Sequence, residues 1–264
     1  MYHFNLRNPT ETELLRVLSY GEGIITRDQF LETANRTLLS RYRTNGLIKQ
    51  KPDAPKGVFQ TTDKFQKLYL QQVNPEHNFS GSGSINHSSI LYETLKLLPQ
   101  DAPLISGQTL KTELEQAQKS MEYQRREIEL RERYKDERDA ANAQLRHAQN
   151  PVQKYEALSR YNEANKLYSR ENLCSAADLK VTLNRDQLDE LLTRFHDRYR
   201  NDELTERQER FTYHAIQQLQ QLQASGTETV ELFVECVTDS YNNLEIQEKL
   251  ATSFVLDTPI IFVS

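Results

Sequence analysis

Between residues 36 and 56 the chain sets six basic side chains, Arg36, Arg41, Arg43, Lys49, Lys51 and Lys56, among the hydroxyl groups of Thr37, Ser40 and Thr44. Guanidinium groups can chelate a guanine edge or a phosphate, and hydroxyls contact either bases or phosphate. Ammonium groups neutralise phosphate as point charges. Together these side chains are suited to polyanion recognition, not to making or breaking bonds. The same set also reads as a solvated helical face or as a surface for protein contacts.

A second set has the types needed for metal-assisted phosphodiester cleavage: Asp178, Glu231, Glu235 and Lys249. A restriction-endonuclease arrangement wants an acid and then Glu-x-Lys on the next strand, to hold a divalent ion and activate water. Glu231 is followed by Leu-Phe and Glu235 by Cys-Val, so neither supplies the lysine, and Lys249 would have to reach in from the next helix. Charged caps and strand ends account for all four, and no catalytic residue is assigned. His3, His77, His87, His147, His196 and His214 show no ligand spacing of a zinc site, and Gly-rich nucleotide loops and Gly-x-Ser-x-Gly elbows are absent from the sequence. Cys174 and Cys236 are too few for a disulfide framework and read as packing residues. No metal and no cofactor is expected.

The basic set needs a scaffold, and the first seventy residues spell one. Thr10-x-x-Glu13 reads as a capping box for a helix burying Leu14, Leu15, Val17 and Leu18 and stopping at Gly21 or Gly23. Thr26 caps a second helix through Phe30 and Leu31. A third runs over about 35–45, with Leu38, Leu39 and Tyr42 inward and Gly46 closing it in the left-handed region. Residues 47–49 and 58–61 read as two short strands around a Pro/Gly turn at 52–57, and 63–73 as a returning helix through Phe65, Leu68 and Tyr69. This is the order of a winged helix-turn-helix, whose third helix enters the major groove. Lys49, Lys51 and Lys56 then lie on the wing, beside the backbone.

Residues 74–89 are a small-polar loop, after which Ser88 or Ser89 caps a helix carrying Ile90, Leu91, Leu95, Leu97 and Leu98. Over 109–149 the sequence predicts one charged helix of about 40 residues, roughly 60 Å long at 1.5 Å per residue. Leu114, Met121 and Ile128 repeat at seven, with Leu110 and Ala117 on the alternate seam. Ala141, Leu145 and Ala148 resume in another register. Asn150-Pro151 starts a second helix through Tyr155, Leu158, Tyr161, Ala164 and Leu167. An intramolecular hairpin and an intermolecular coiled coil both fit. The tail alternates strand and helix: a strand over 178–183, helices capped by Asn184 and covering 206–223, a central strand over 230–237, a helix over 244–253 and a last strand over 259–264. The last two strands are expected to be neighbours and parallel.

Charge is distributed to match. The whole chain carries −5, so it is no general polyanion binder, yet residues 1–73 hold 11 Lys/Arg against 7 Asp/Glu. Neither a signal peptide's apolar core nor a run of about 20 apolar residues is present, and a cytoplasmic protein with no membrane contact is expected. The expected class is α+β in four parts: a winged helix-turn-helix (1–73), a polar loop and connecting helix (74–106), a charged helical hairpin or coiled-coil arm (107–172) and a small α/β domain (173–264).

Taken together, several short motifs resemble the replication-relaxation proteins, MobC-like winged-helix accessory proteins of plasmids and integrative conjugative elements. They are Glu11-x-Glu-Leu-Leu-Arg16, RYRTNGLIK at 41–49, FQTT at 59–62, and His87 near the start of its helix. In the tail, FVECVTDSY at 233–241, IQEK at 246–249 and IIFV at 260–263 are similar to that family's degenerate nuclease-like domain. The charged middle helices depart from it. The resemblance implies a non-enzymatic, double-stranded DNA-binding accessory protein, acting near an origin of transfer or replication and helping a relaxase or replication initiator to load; a homodimer is expected. Transcriptional regulation of the element through the same winged helix, a protein-interaction scaffold using the arm, and a metal-dependent nuclease are the alternatives.

Overall fold

The computed structural model describes residues 2–79 and 83–264. Met1 and positions 80–82 of the polar loop lie outside the described residues. Among the described residues the chain is α+β, with eleven helices and two small sheets. It divides into two compact units. The first takes residues up to 110, 178–240 and 261–264, and the second takes 111–177 and 241–260.

Helix α1 spans Pro9–Tyr20. Its cap is Asn8, not Thr10: the Asn8 side chain accepts from the Thr10 amide, and Pro9 supplies a pre-set first helical φ. Strand β1 (Ile24–Thr26), a three-residue strand too short to announce itself by alternation, leads to α2 (Arg27–Thr33). Thr26 and Gln29 form a reciprocal capping box there. Helix α3 (Arg36–Thr44) is capped by the Asn35 side chain, and Gly46 follows at φ +65°, a conformation suited to glycine. Strands β2 (Ile48–Gln50) and β3 (Val58–Thr61) and helix α4 (Asp63–Gln72) complete the segment. The sheet order is β1-β3-β2, antiparallel throughout, with Ile25 opposite Phe59 and Lys49 opposite Gln60. Leu14, Leu18, Phe30, Leu38, Tyr42, Phe59 and Phe65 are buried in one cluster beneath it.

Helix α5 spans Ile85–Leu97 and is capped by Ser84, a turn ahead of the expected Ser88 or Ser89. Ser88 is instead buried, its hydroxyl donating to Glu22. Strand β4 (Leu104–Ser106) and helix α6 (Gly107–Ala117) follow. The expected 40-residue helix is two: the chain turns at 118–120, and Ser120 caps a new helix α7, Met121–His147. The heptad spanning that break therefore does not form a seam. Leu114 is buried, whereas Met121 is 87% and Ile128 62% exposed. Helix α8 (Pro151–Tyr168) packs along α7 within the chain, with Ala141, Ala157 and Ala164 buried together with Tyr134 and Leu167. Most charges of α7 are paired along the helix, as in Arg131–Glu127 and Arg133–Glu129.

Strand β5 (Leu179–Asn184), helices α9 (Arg185–Asn201) and α10 (Glu206–Ala224), strand β6 (Thr229–Cys236), helix α11 (Asn243–Leu256) and strand β7 (Ile260–Val263) finish the chain. The second sheet has the order β4-β5-β6-β7, so β6 and β7 are neighbours as expected, and β4 and β6 both pair antiparallel with β5. Its core joins Leu179, Val181, Leu183, Leu232 and Val234 to Leu91 and Leu95 of α5 and to Leu191 and Phe195 of α9. In the second unit Leu114, Tyr123, Leu130, Tyr134, Leu167, Ala251 and Val255 form a separate cluster.

Candidate nucleic-acid interface

Helix α3 turns Leu38, Leu39 and Tyr42 inward. At 100° per residue the positions opposite them are Thr37, Ser40 and Thr44, all exposed. The arginines flank this hydroxyl face on two different sides. Arg36 and Arg43 lie toward β2, where they line a cleft of about 620 Å³ with Arg27, Ser40, Thr44 and Lys49. No carboxylate lines that cleft. Arg41 lies on the other flank, its guanidinium 5.5 Å from the centre of the Tyr2 ring. Arg43 is carried 5.7 Å over Phe59 of β3, which orients it toward the β2–β3 hairpin.

That hairpin is held by its own polar contacts. The Gln50 side chain donates to the Pro55 carbonyl (2.9 Å) and accepts from the Gly57 amide (3.1 Å), bracketing the exposed Lys56. Gly57 sits at φ +96°, where a side chain would be strained, and its carbonyl accepts from the Arg27 amide at 2.7 Å. Thus the turn fixes both Lys56 and the start of α2. A neighbouring cleft of about 680 Å³ shares Arg27 and Arg43 and adds Lys56, with Asp28 its one carboxylate. Lys49 is exposed on β2 and Lys51 is half-buried, its amide donating to Val58.

Three acids of the same segment, Glu11, Glu32 and Glu22, are engaged elsewhere. Glu11, 1% exposed, accepts from the Tyr2 hydroxyl (2.7 Å), the Tyr42 hydroxyl (3.3 Å) and the Asn5 amide (3.2 Å). It fixes α3 against α1, and burial together with this carboxylate pushes both phenols far up. Glu32 pairs with Lys96. Glu22, at φ +58° in the turn after α1, pairs with His87. By contrast, Arg27, Arg36, Arg41, Arg43, Lys49, Lys51 and Lys56 have no carboxylate partner among the described residues. Arg27 was not among the sequence candidates. Its neighbours Arg36 and Lys49 are nine and more residues away, so only the fold reveals it.

The acidic set is organised around a histidine. His87 Nδ1 lies 3.2 Å from Glu22 Oε2, and Nε2 lies 3.1 Å from Asp178 Oδ2. Burial favours the neutral ring, but the hydrogen bonds and charges of the two carboxylates outweigh it and hold the pKa at about 10. His87 is therefore an imidazolium at neutral pH, donating from both nitrogens. Asp178 Oδ2 also accepts the Cys236 amide at 2.8 Å, and Glu235, fully buried, accepts the Asp178 amide at 3.2 Å. Glu231 is on the exposed side of β6, 3.7 Å from Lys180, and the Lys249 amine donates to the Ala176 carbonyl. Asp178 and Glu231 thus have different partners, and among the described residues no three His, Cys, Asp or Glu side chains are placed to share a metal ion.

The remaining candidates are packed. His77 is buried against Tyr20, Tyr69 and Phe79, bonded to the Ser19 carbonyl, with burial lowering its pKa. His214 lies against Phe262 and is lowered by the same cause. Both cysteines are buried thiols raised by burial, which keeps them protonated and poor nucleophiles. No helix among the described residues is long and apolar enough to cross a membrane. No protein-family model, curated protein or solved structure matches the chain.

Proposed function

We propose that the segment through α4 is a winged helix-turn-helix that binds double-stranded DNA, with α3 in the major groove and the β2–β3 hairpin as the wing. The observation that carries this reading is the acid-free cleft on the exposed flank of α3, where Arg27, Arg36, Arg43 and Lys49 stand without carboxylate partners. Unpaired cations held on a rigid helix and hairpin attract phosphate at long range, and releasing the DNA's counterions drives binding. The hydroxyl face between the arginine flanks is open to base edges.

The resemblance to replication-relaxation proteins supplies the biological setting. In it the protein marks an origin of transfer or replication for a relaxase or initiator and performs no chemistry of its own. The commitment of Asp178 to His87 and the Cys236 amide favours this over a nuclease, because that carboxylate oxygen is already in use. An operator-binding regulator would use the same surface. Footprinting on the element's intergenic DNA separates them: protection at a nick or initiator site supports the accessory role, and protection over the gene's own promoter supports the regulator. Binding no tighter than to unrelated duplex rejects both.

A further inference from the structure

The exposed part of α3 carries two chemistries, cations and short hydroxyls, and the difference has a function if the DNA-binding reading above holds. Arg27, Arg36, Arg43 and Lys49 come from three separate elements, α2, α3 and β2, yet line one cleft containing no acid. Four cations and no carboxylate match closely spaced negative charges, and Ser40 and Thr44 share the lining of the same cleft. The Gly57 carbonyl fixes the Arg27 backbone at the start of α2, and the Phe59 ring supports the Arg43 guanidinium, so one of the four cations is oriented before any ligand arrives. Thr37, Ser40 and Thr44 hold the centre of the exposed face, where a groove-bound helix meets base edges.

We propose a division of labour in which the four cations of this cleft, Arg27 included, grip backbone phosphates, while the short hydroxyl side chains of Thr37, Ser40 and Thr44 carry the sequence readout. Long arginines, the usual guanine readers, are then spent on position and affinity. Arg41, on the opposite flank beside Tyr2, is outside the cleft.

The test uses the full chain and a randomised pool of 25-base-pair duplexes, with binding titrated from 50 to 300 mM salt and the retained sequences read out. Arg27→Gln and Arg43→Gln are each expected to flatten the slope of log K against log salt by about 0.9, the loss of one phosphate contact. Both should retain the same sequences as the unmodified protein. Ser40→Ala and Thr44→Val are expected to leave the slope unchanged and to change which sequences are retained. Arginine variants that keep the full slope, or that change the retained sequences, overturn the division while leaving DNA binding standing. Hydroxyl variants that retain the original sequences also overturn it. An unmodified protein that fails to bind the pool removes the DNA-binding reading itself, and the division with it.

Discussion

Replacing His87 by Gln should change how the protein's stability depends on pH. His87 lies between Glu22 and Asp178 at 3.2 and 3.1 Å, with all three side chains less than one-fifth exposed. Its folded pKa is held at about 10 against an ordinary value of 6.5. The sign follows from the raised value. Below pH 6.5 both folded and unfolded chains are protonated at this ring, and its contribution is complete. Between 6.5 and about 10 the folded ring keeps a proton that the unfolded ring has lost, so stability falls as pH rises. The slope is about 1.36 kcal/mol per pH unit, or about 2.7 kcal/mol from pH 7 to pH 9. Urea unfolding of the full chain, followed by circular dichroism at pH 7, 8 and 9, reads this directly. Buried thiols and phenols also titrate toward the upper end of this range, but they are common to both proteins and cancel in the difference. The stability gap between wild type and His87→Gln should therefore be largest at pH 7 and shrink by about 2 to 3 kcal/mol by pH 9. A gap that stays constant across this window would refute the claim that His87 is a charged bridge.

Other changes have equally definite outcomes. Gln50→Ala removes both side-chain bonds that bracket Lys56. It should weaken duplex binding about as much as Lys56→Ala, with the double variant no worse than either, while the urea midpoint moves little; additive losses would contradict this. Glu11→Ala leaves two buried tyrosine hydroxyls without their acceptor and should cost about 2 to 4 kcal/mol in urea unfolding, whereas Tyr42→Phe removes one bond and should cost about 1 kcal/mol. Leu114→Ala should destabilise by about 2 to 5 kcal/mol, as for a buried leucine. Met121→Ala should stay within about 0.5 kcal/mol, as for a surface position; equal costs would restore the continuous heptad seam.

Much of the first segment was legible because its signals are local. Asn35, the inward Leu38, Leu39 and Tyr42, and Gly46 fix α3 within one residue at each end. What was not legible depends on distance or brevity. Strands β1 and β4 have three residues each and take their identity from their partners in the sheets. Met121 and Ile128 fit a seven-residue repeat in the sequence, but a turn at 118–120 separates Met121 from Leu114, and both side chains are left in solvent. Arg27 reads as an ordinary residue at a helix start until Gly57 anchors it beside Arg36, Arg43 and Lys49. The Glu22–His87–Asp178 bridge spans more than 150 residues of sequence, and although each residue is visible, their association is not.

The most direct test of the account is duplex binding by the purified full chain and by an Arg27→Gln, Arg43→Gln double variant, titrated against salt. Binding by the unmodified protein that weakens steeply with salt, and a double variant with a slope shallower by about 2 and a loss of affinity on every duplex, is the predicted result. No duplex binding at low salt, or equal binding by both proteins, would contradict it.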